Sequence, residues 1–498
     1  LEQRRIALIG SARKLHKLGR KFSVFRLAFL VRKRIERSIR QHFPLKEARL
    51  FQGLFLGHRS EVPEETQEQF IRSGVVHILA VSGLHVGLVL VIFYLFFRSL
   101  GLDRKRTSVA CIFFIIFYAL VTGARPSALR ASIMLATCLT ALFLDRDPHL
   151  FNSLSFAGIL LLLAEPLLLW DIGFQLSFLA TWGILYMFSV IEKRVIWNRW
   201  KGVMNWILIP LLVSLGAQLG SYPILAYHFH RISLVAPLTN LLVVPVVGMN
   251  IAIGFLMFIA DLASPFLASI FASANWFLLN TLESLMTFFS SLPFSARYFP
   301  RPPLAYIVGY YIFLSLVPLS LQKRRVRWFL VFLILTASLS LGVGRLLPDK
   351  LEITFLSVGQ GDAIHIRLPS RKNILIDAGG AISGEDTGKQ IVSPYLFYRG
   401  VWKLESIFLT HPGYNHCAGL ISVIKRFGVK RIYFNGKGTG KYWDELSKLA
   451  REKGIGVESI GYGRRLKYGN VVIDVWNPQE TLNLSLIHIS EPTRPLYI

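Results

Sequence analysis

Charged side chains are scarce in this chain of 498 residues. Asp, Glu, Lys and Arg make up 17% of it, where a soluble globular chain carries roughly 25%. Hydrophobic residues reach 53% and mean hydropathy is +0.48. That balance excludes an ordinary soluble protein for most of the length and points to a membrane protein. Acidic groups are the scarcer sign, 29 against 56 Lys and Arg, for a formal net charge of +27. Two sources give such an excess: cytoplasmic loops of membrane proteins collect Lys and Arg, and nucleic-acid partners favour basic surfaces. Cysteine is nearly missing. Cys111 and Cys138 lie in apolar runs and Cys417 stands alone, which excludes a disulfide framework and a CxxC zinc site and leaves small buried hydrophobes.

The start lacks both Met and a secretory leader, so Leu1 reads as the beginning of a fragment. Residues 1–49 hold fifteen Lys or Arg against three Glu. Their second half, FRLAFLVRKRIERSIRQHF, is basic and amphipathic. It suits either a helix lying on an anionic membrane face or a solvated juxtamembrane linker. At the other end, LSLIHISEPTRP (484–495) resembles a translated sequencing-library adaptor. Residues 484–498 are therefore read as an artefactual tail, and His488 is not a candidate ligand.

Residues 50–348 read as a polytopic α-helical membrane domain. A helix crossing a ~30 Å hydrocarbon core needs about 20 apolar residues. Ten spans are expected, near 83–100, 107–124, 127–144, 151–168, 172–191, 203–227, 234–260, 266–292, 304–321 and 328–347. Pro210, Pro223, Pro237, Pro245 and Pro265 interrupt the middle ones, so bent or re-entrant segments are expected there. Irregular backbone at that depth must be buried in protein or line a wet cavity. The basic loops Asp103–Arg106, Glu192–Lys201 and Lys323–Arg327 fall on one side, which the positive-inside rule makes the cytoplasm. The last span then delivers the C-terminal part outside. From Leu351 short β-rich runs (LEITFLS, AIHIRL, NILIDA, SIFLT, KRIYF, NVVIDVW) alternate with helical stretches near 417–427 and 441–453, so 350–483 reads as a soluble α/β domain.

The apolar helices carry polar groups a plain anchor has no use for. HILAVSGLHVGL contains Ser82 and His85. GARPSALRASIM contains Arg125 and Arg130. GFQLSFLATWGI contains Gln175 and Ser177. GAQLGSYPILAYHFHRISLVAPLTN contains Gln218 and Asn240. At bilayer depth such groups face a bundle interior or a watery path, or act singly as helix–helix glue. As a set they read as a polar conduit.

HILAVSGLHVG, GARPSALRASIM and GFQLSFLATWGI, in this order, resemble the competence domain of the ComEC family. FLSVGQGDAIHIRLPSRKNILIDAGG resembles that family's metallo-β-lactamase-type (αββα) domain. The resemblance covers roughly residues 50–483 and implies a multi-pass bacterial plasma-membrane channel that brings single-stranded DNA into the cytoplasm. It also implies other competence proteins as partners and an extracytoplasmic C-terminal domain; an oligomer is compatible with it. Family members usually begin with further spans and an OB-type domain, which this chain lacks, as expected of a fragment.

In the metallo-β-lactamase-like family a His-x-His-x-Asp-His motif follows a strand and holds two metals. Here LTHPGYNHCAGL keeps His411 and His416 but has Gly413 and Asn415 at the other ligand places. Gly413 has no side chain, and Asn415 offers only a neutral carbonyl. Each metal would lose a ligand, a heavier loss than the outer-shell changes that cost ~10–100-fold. Asp362, Asp377 and Asp386 also match family positions, while Ser357 stands where the family usually has Asp; the first three equally suit turn and loop hydrogen bonding. No cofactor is therefore expected, with zinc or manganese reserved for an intact active domain. Three functions remain in view: a DNA channel with a degenerate nuclease-like domain, a membrane-bound metal-dependent nuclease for the non-transported strand, and a small-solute transporter.

Overall fold

Long apolar runs in a low-dielectric surrounding fold as helices, because the backbone there has no partner but itself. The computed structural model describes residues 23–192, 204–320, 323–332, 335–336, 350–382, 385–436 and 438–476. Twelve helices run in order among the described residues up to 320: α1 (Val24–His42), α2 (Leu45–Leu56), α3 (Glu64–Arg72), α4 (Gly83–Ser99), α5 (Arg104–Val121), α6 (Pro126–Phe143), α7 (Leu150–Ala164), α8 (Ile172–Glu192), α9 (Ile209–Phe229), α10 (Ala236–Ala263), α11 (Pro265–Ser291) and α12 (Leu304–Ser320). Helices α4 to α12 lie where the first nine spans are expected. Five of them, α6, α8, α9, α10 and α11, are long and apolar enough to cross a membrane, and α4, α7 and α12 are shorter apolar helices. The chain is a membrane protein. Most of the expected tenth span, the basic loop after Glu192, residues 1–22 and the tail from 484 lie outside the described residues.

The prolines do less breaking than expected. Pro237 and Pro265 sit in the first turn of α10 and α11, where the missing N–H would have had no partner anyway, whereas Pro210 follows directly on a π-helical turn at Met204–Leu208 that runs into α9. Pro223 and Pro245 lie in the interiors of α9 and α10.

The chain divides into two compact units, Leu1–Tyr298 and Phe299–Ile498. The core of the first unit is built around α2, whose residues Leu50 to Leu56 are all buried. At 12 residues and ~1.5 Å per residue α2 is too short to span. Its Phe55 ring lies 4.9 Å from both Phe255 and Phe258 of α10. Residue 49 lies inside this helix. Helix α1 buries Ala28 and Ile39 and leaves Phe25 and Phe29 exposed. Helices α8 and α9 approach backbone to backbone: a Cβ on Gly220 would lie 2.0 Å from the Leu179 carbonyl oxygen, and one on Gly183 would lie 2.2 Å from that of Gly216.

The second unit carries a six-stranded mixed sheet. Its strands are β3 (Glu352–Phe355), β4 (Ile364–Arg367), β5 (Asn373–Ile376), β9 (Ser406–Leu409), β11 (Arg431–Phe434) and β12 (Gly456–Ser459), counting two-residue strands in the chain-order numbering. The order is β12-β11-β9-β5-β4-β3. The pairs from β5 to β12 are parallel and β3–β4–β5 antiparallel. Helices α13 (Ser393–Tyr398), α14 (Tyr414–Arg426) and α15 (Lys441–Glu452) complete this α/β domain. Strand β9 is buried at Ser406, Ile407 and Leu409, as a central parallel strand requires.

Candidate functional site

In open parallel sheets, ligands bind beyond the carboxyl ends of the strands. At that edge β5 ends in Asp377, held in the left-handed region at φ 53°, which Asp tolerates better than most residues. The neighbouring strand β9 ends in Thr410 and His411, and α14 begins after Gly413. The fully buried Asp377 carboxylate accepts the Thr410 N–H at 2.9 Å, the Thr410 hydroxyl at 2.6 Å and His416 Nδ1–H at 2.8 Å. Rings of His411 and His416 lie 4.0 Å apart. The structure thus brings Asp377, His411 and His416 together and adds Thr410, which the motif does not reveal.

The fold family implies a metal pair here, and the donors present do not fit one. Asp377 spends its oxygens on Thr410 and His416. A Cβ on Gly413 would lie 2.6 Å from His411 Nε2, so the imidazole fills the space of the missing side chain. The Asn415 carbonyl oxygen would lie 2.1 Å from a Cβ on Gly361, a close backbone approach that glycine permits. Asp386 lies elsewhere in the network: it accepts the Lys389 N–H at 3.1 Å and the Ser422 hydroxyl. Asp362 accepts the Gly379 N–H at 2.9 Å through its backbone oxygen. Among the described residues no group of three or more His, Cys, Asp or Glu could hold a metal ion. Cys417 is buried beside this site, and burial followed by the Asp377 charge pushes its thiol up to about 12.

The polar groups of the first unit make several local hydrogen-bond groups. Ser82 caps α4, its hydroxyl 3.0 Å from Nδ1 of buried His85. The Ser127 hydroxyl donates to the Val81 carbonyl at 2.6 Å, tying the start of α6 to that turn. Arg130, 3% exposed, donates from Nη2 to the Gly173 carbonyl at 2.8 Å and sits 5.7 Å from the centre of the Phe174 ring. Gly83, Arg130, Met134, Ser177, Phe178 and Thr181 are among the residues around a cavity of about 160 Å³. Gln175 is turned away from this group to the Leu169 carbonyl, 2.9 Å, and Arg125 lies against Gly57. A second cluster joins α9 to α10. The Asn240 amide donates to Ser214 at 2.8 Å, Gln218 to the same hydroxyl at 3.5 Å, and Tyr222 to Gln218. Ser214 and Tyr222 lie one helical turn either side of Gln218, a spacing that would have found them.

A family model described as Competence protein matches residues 54–324, and one described as Metallo-beta-lactamase superfamily matches residues 356–489, reaching past the expected boundary at 483. The chain is 29% identical over 470 residues to ComE operon protein 3 of Bacillus subtilis, covering 89% of this chain and 59% of that protein. It is 23% identical to Recombination protein 2 of Haemophilus influenzae, covering 80% and 55%. Against Competence protein ComA of Neisseria gonorrhoeae it is 26% identical, covering 76% and 52%. The chain therefore spans little more than half the length of these relatives.

Proposed function

The chain belongs to the competence protein family, and from that premise we propose that it forms part of a bacterial plasma-membrane channel passing single-stranded DNA into the cytoplasm. One observation carries the reading: three separate motifs meet at a cavity in an apolar bundle, around a buried arginine whose Nε and Nη1 have no hydrogen-bond partner among the described residues. A hydrated polyanion needs a polar, basic route, and Arg130 supplies charge where lipid-facing packing would exclude it. Ser82, His85, Ser177, Gln218 and Asn240 are further candidates along the way. Arg125 is a candidate at its edge.

The second unit serves this reading as an extracytoplasmic DNA-handling domain without hydrolysis, alongside other competence proteins. The Asp377–Thr410–His416 network disfavours the nuclease alternative, and purified full-length protein should hold no stoichiometric zinc or manganese by elemental analysis. The ordered motifs disfavour a small-solute transporter. Deleting the full-length gene should abolish entry of labelled DNA into the cytoplasm while surface binding persists. Normal internalisation in the deletion strain would reject the proposal.

A further inference from the structure

We infer that the cavity walled by α4, α6, α7 and α8 is a seat for a single phosphate group, with Arg130 as its anchor. The inference rests on the channel reading for its biological setting, but its chemistry stands on the site itself. A guanidinium stays charged in proteins and carries five N–H donors. Arg130 places one on the Gly173 carbonyl; Nε and Nη1, both buried, have no acceptor among the described residues. Asp171, just before α8, is near enough for its charge to act on Arg130 but makes no ion pair with it among the described residues, and it accepts the Phe174 N–H at 2.6 Å.

A buried cation left unpaired is strongly destabilising, so an arrangement that packs everything except the charge points to an incoming anion. The cavity wall supports that sign: it contains Arg130, the Ser177 and Thr181 side chains and no carboxylate. The Thr181 hydroxyl proton is spent on the Ser177 carbonyl at 2.9 Å, which leaves the Ser177 hydroxyl as the second donor in the wall. The Phe174 face beside the guanidinium and Phe178 line the site with apolar surface, which lowers the local dielectric and strengthens a charge-assisted hydrogen bond to phosphate. At about 160 Å³ the space exceeds that of a few waters at ~30 Å³ each and holds a phosphodiester or a phosphate monoanion. Two sources share that chemistry, the backbone of single-stranded DNA and the headgroup of an anionic phospholipid.

The test uses the full-length protein in zwitterionic nanodiscs, with inorganic phosphate, a thymidine oligonucleotide and phosphatidylglycerol-containing nanodiscs as probes. Phosphate should raise the melting temperature of the wild type, as any ligand of the folded state does, and should leave Arg130→Gln unmoved. Oligonucleotide affinity should fall about tenfold in Arg130→Gln, with Arg130→Lys intermediate because it keeps the charge without the planar fork. Should Arg130→Gln fail to fold, Ser177→Leu fills the cavity while sparing the arginine and should lose the phosphate shift. Competition of phosphate by oligonucleotide assigns the seat to DNA; stabilisation by phosphatidylglycerol in place of phosphate assigns it to lipid. Equal phosphate stabilisation of wild type and Arg130→Gln, or none of either, overturns the inference. These readouts are independent of uptake: a deletion strain that still internalises DNA rejects the channel while the seat stands, and the converse result rejects the seat alone.

Discussion

At the scale of single residues, buried polar groups are decisive because each must be matched where it sits. His365, 1% exposed on β4, lies 3.2 Å from the Tyr395 hydroxyl through Nδ1 and 3.1 Å from Asn373 Oδ1 through Nε2. Burial holds its pKa at about 4, below the usual 6.5. The neutral form is thus favoured in the folded state, and the unfolded chain binds the extra proton. Its contribution is complete above pH 6.5 and disappears as pH falls to about 4, a loss on the order of 2–3 kcal/mol. Protection factors at the β4 and β5 amides, which correct for the intrinsic pH dependence of exchange, should fall across that window in the wild type and change much less in His365→Gln. A flat wild-type profile would contradict this. The same scale explains what the metal motif reveals and what it hides. Gly413 and Asn415 announce lost ligands by their chemistry alone. The capture of Asp377 by Thr410 is not legible, because it needs the left-handed turn at 377 and the register that sets β5 beside β9.

At the scale of elements, the long apolar helices are legible because their length and composition are local properties. Helix α2 is not: a 12-residue apolar stretch equally suits a soluble core, and only its packing on α10 shows why every residue after Leu50 is buried. The polar residues were expected to form one conduit. Which of them hydrogen-bond to one another is not legible: Asn240 meets Ser214 and Arg130 meets the Gly173 carbonyl, since helix neighbours, which sequence order does not fix, decide who meets whom. Glycines illustrate the same point. Gly216 and Gly220 lie four apart on α9, the small-residue spacing that lets membrane helices touch; Gly216 admits the Gly183 carbonyl oxygen and Gly220 that of Leu179. Gly220→Val must therefore push α8 from α9, with a cost of roughly 1–3 kcal/mol or more from overpacking. Thermal unfolding in nanodiscs should show a clear drop for this variant. Gly309→Val on α12, where a Cβ meets nothing within 4 Å, is the control and should change little; equal effects would refute the packing argument.

At the scale of the whole molecule, charge sets orientation. Helices α5 to α12 number eight among the described residues. If each crosses, the basic loops around Arg106 and Lys323 share one face, and so does the one after α8. On the proposed topology, Lys and Arg in short loops are cytoplasmic and the α/β domain is extracytoplasmic. Thiol labelling tests this cleanly because the native cysteines are poor targets. Cys111 is buried and Cys138 half-buried beside the Ser153 hydroxyl. Cys417 is buried, with a thiol pushed up to about 12, and the thiolate is the reactive form. A cysteine replacing exposed Lys441 on α15 should react with a membrane-impermeant maleimide in intact cells expressing the full-length protein. One replacing exposed Arg106 should react only after permeabilisation. The opposite pattern would turn the protein over in the membrane and place the Asp377 crevice in the cytoplasm, where it would meet DNA only after passage.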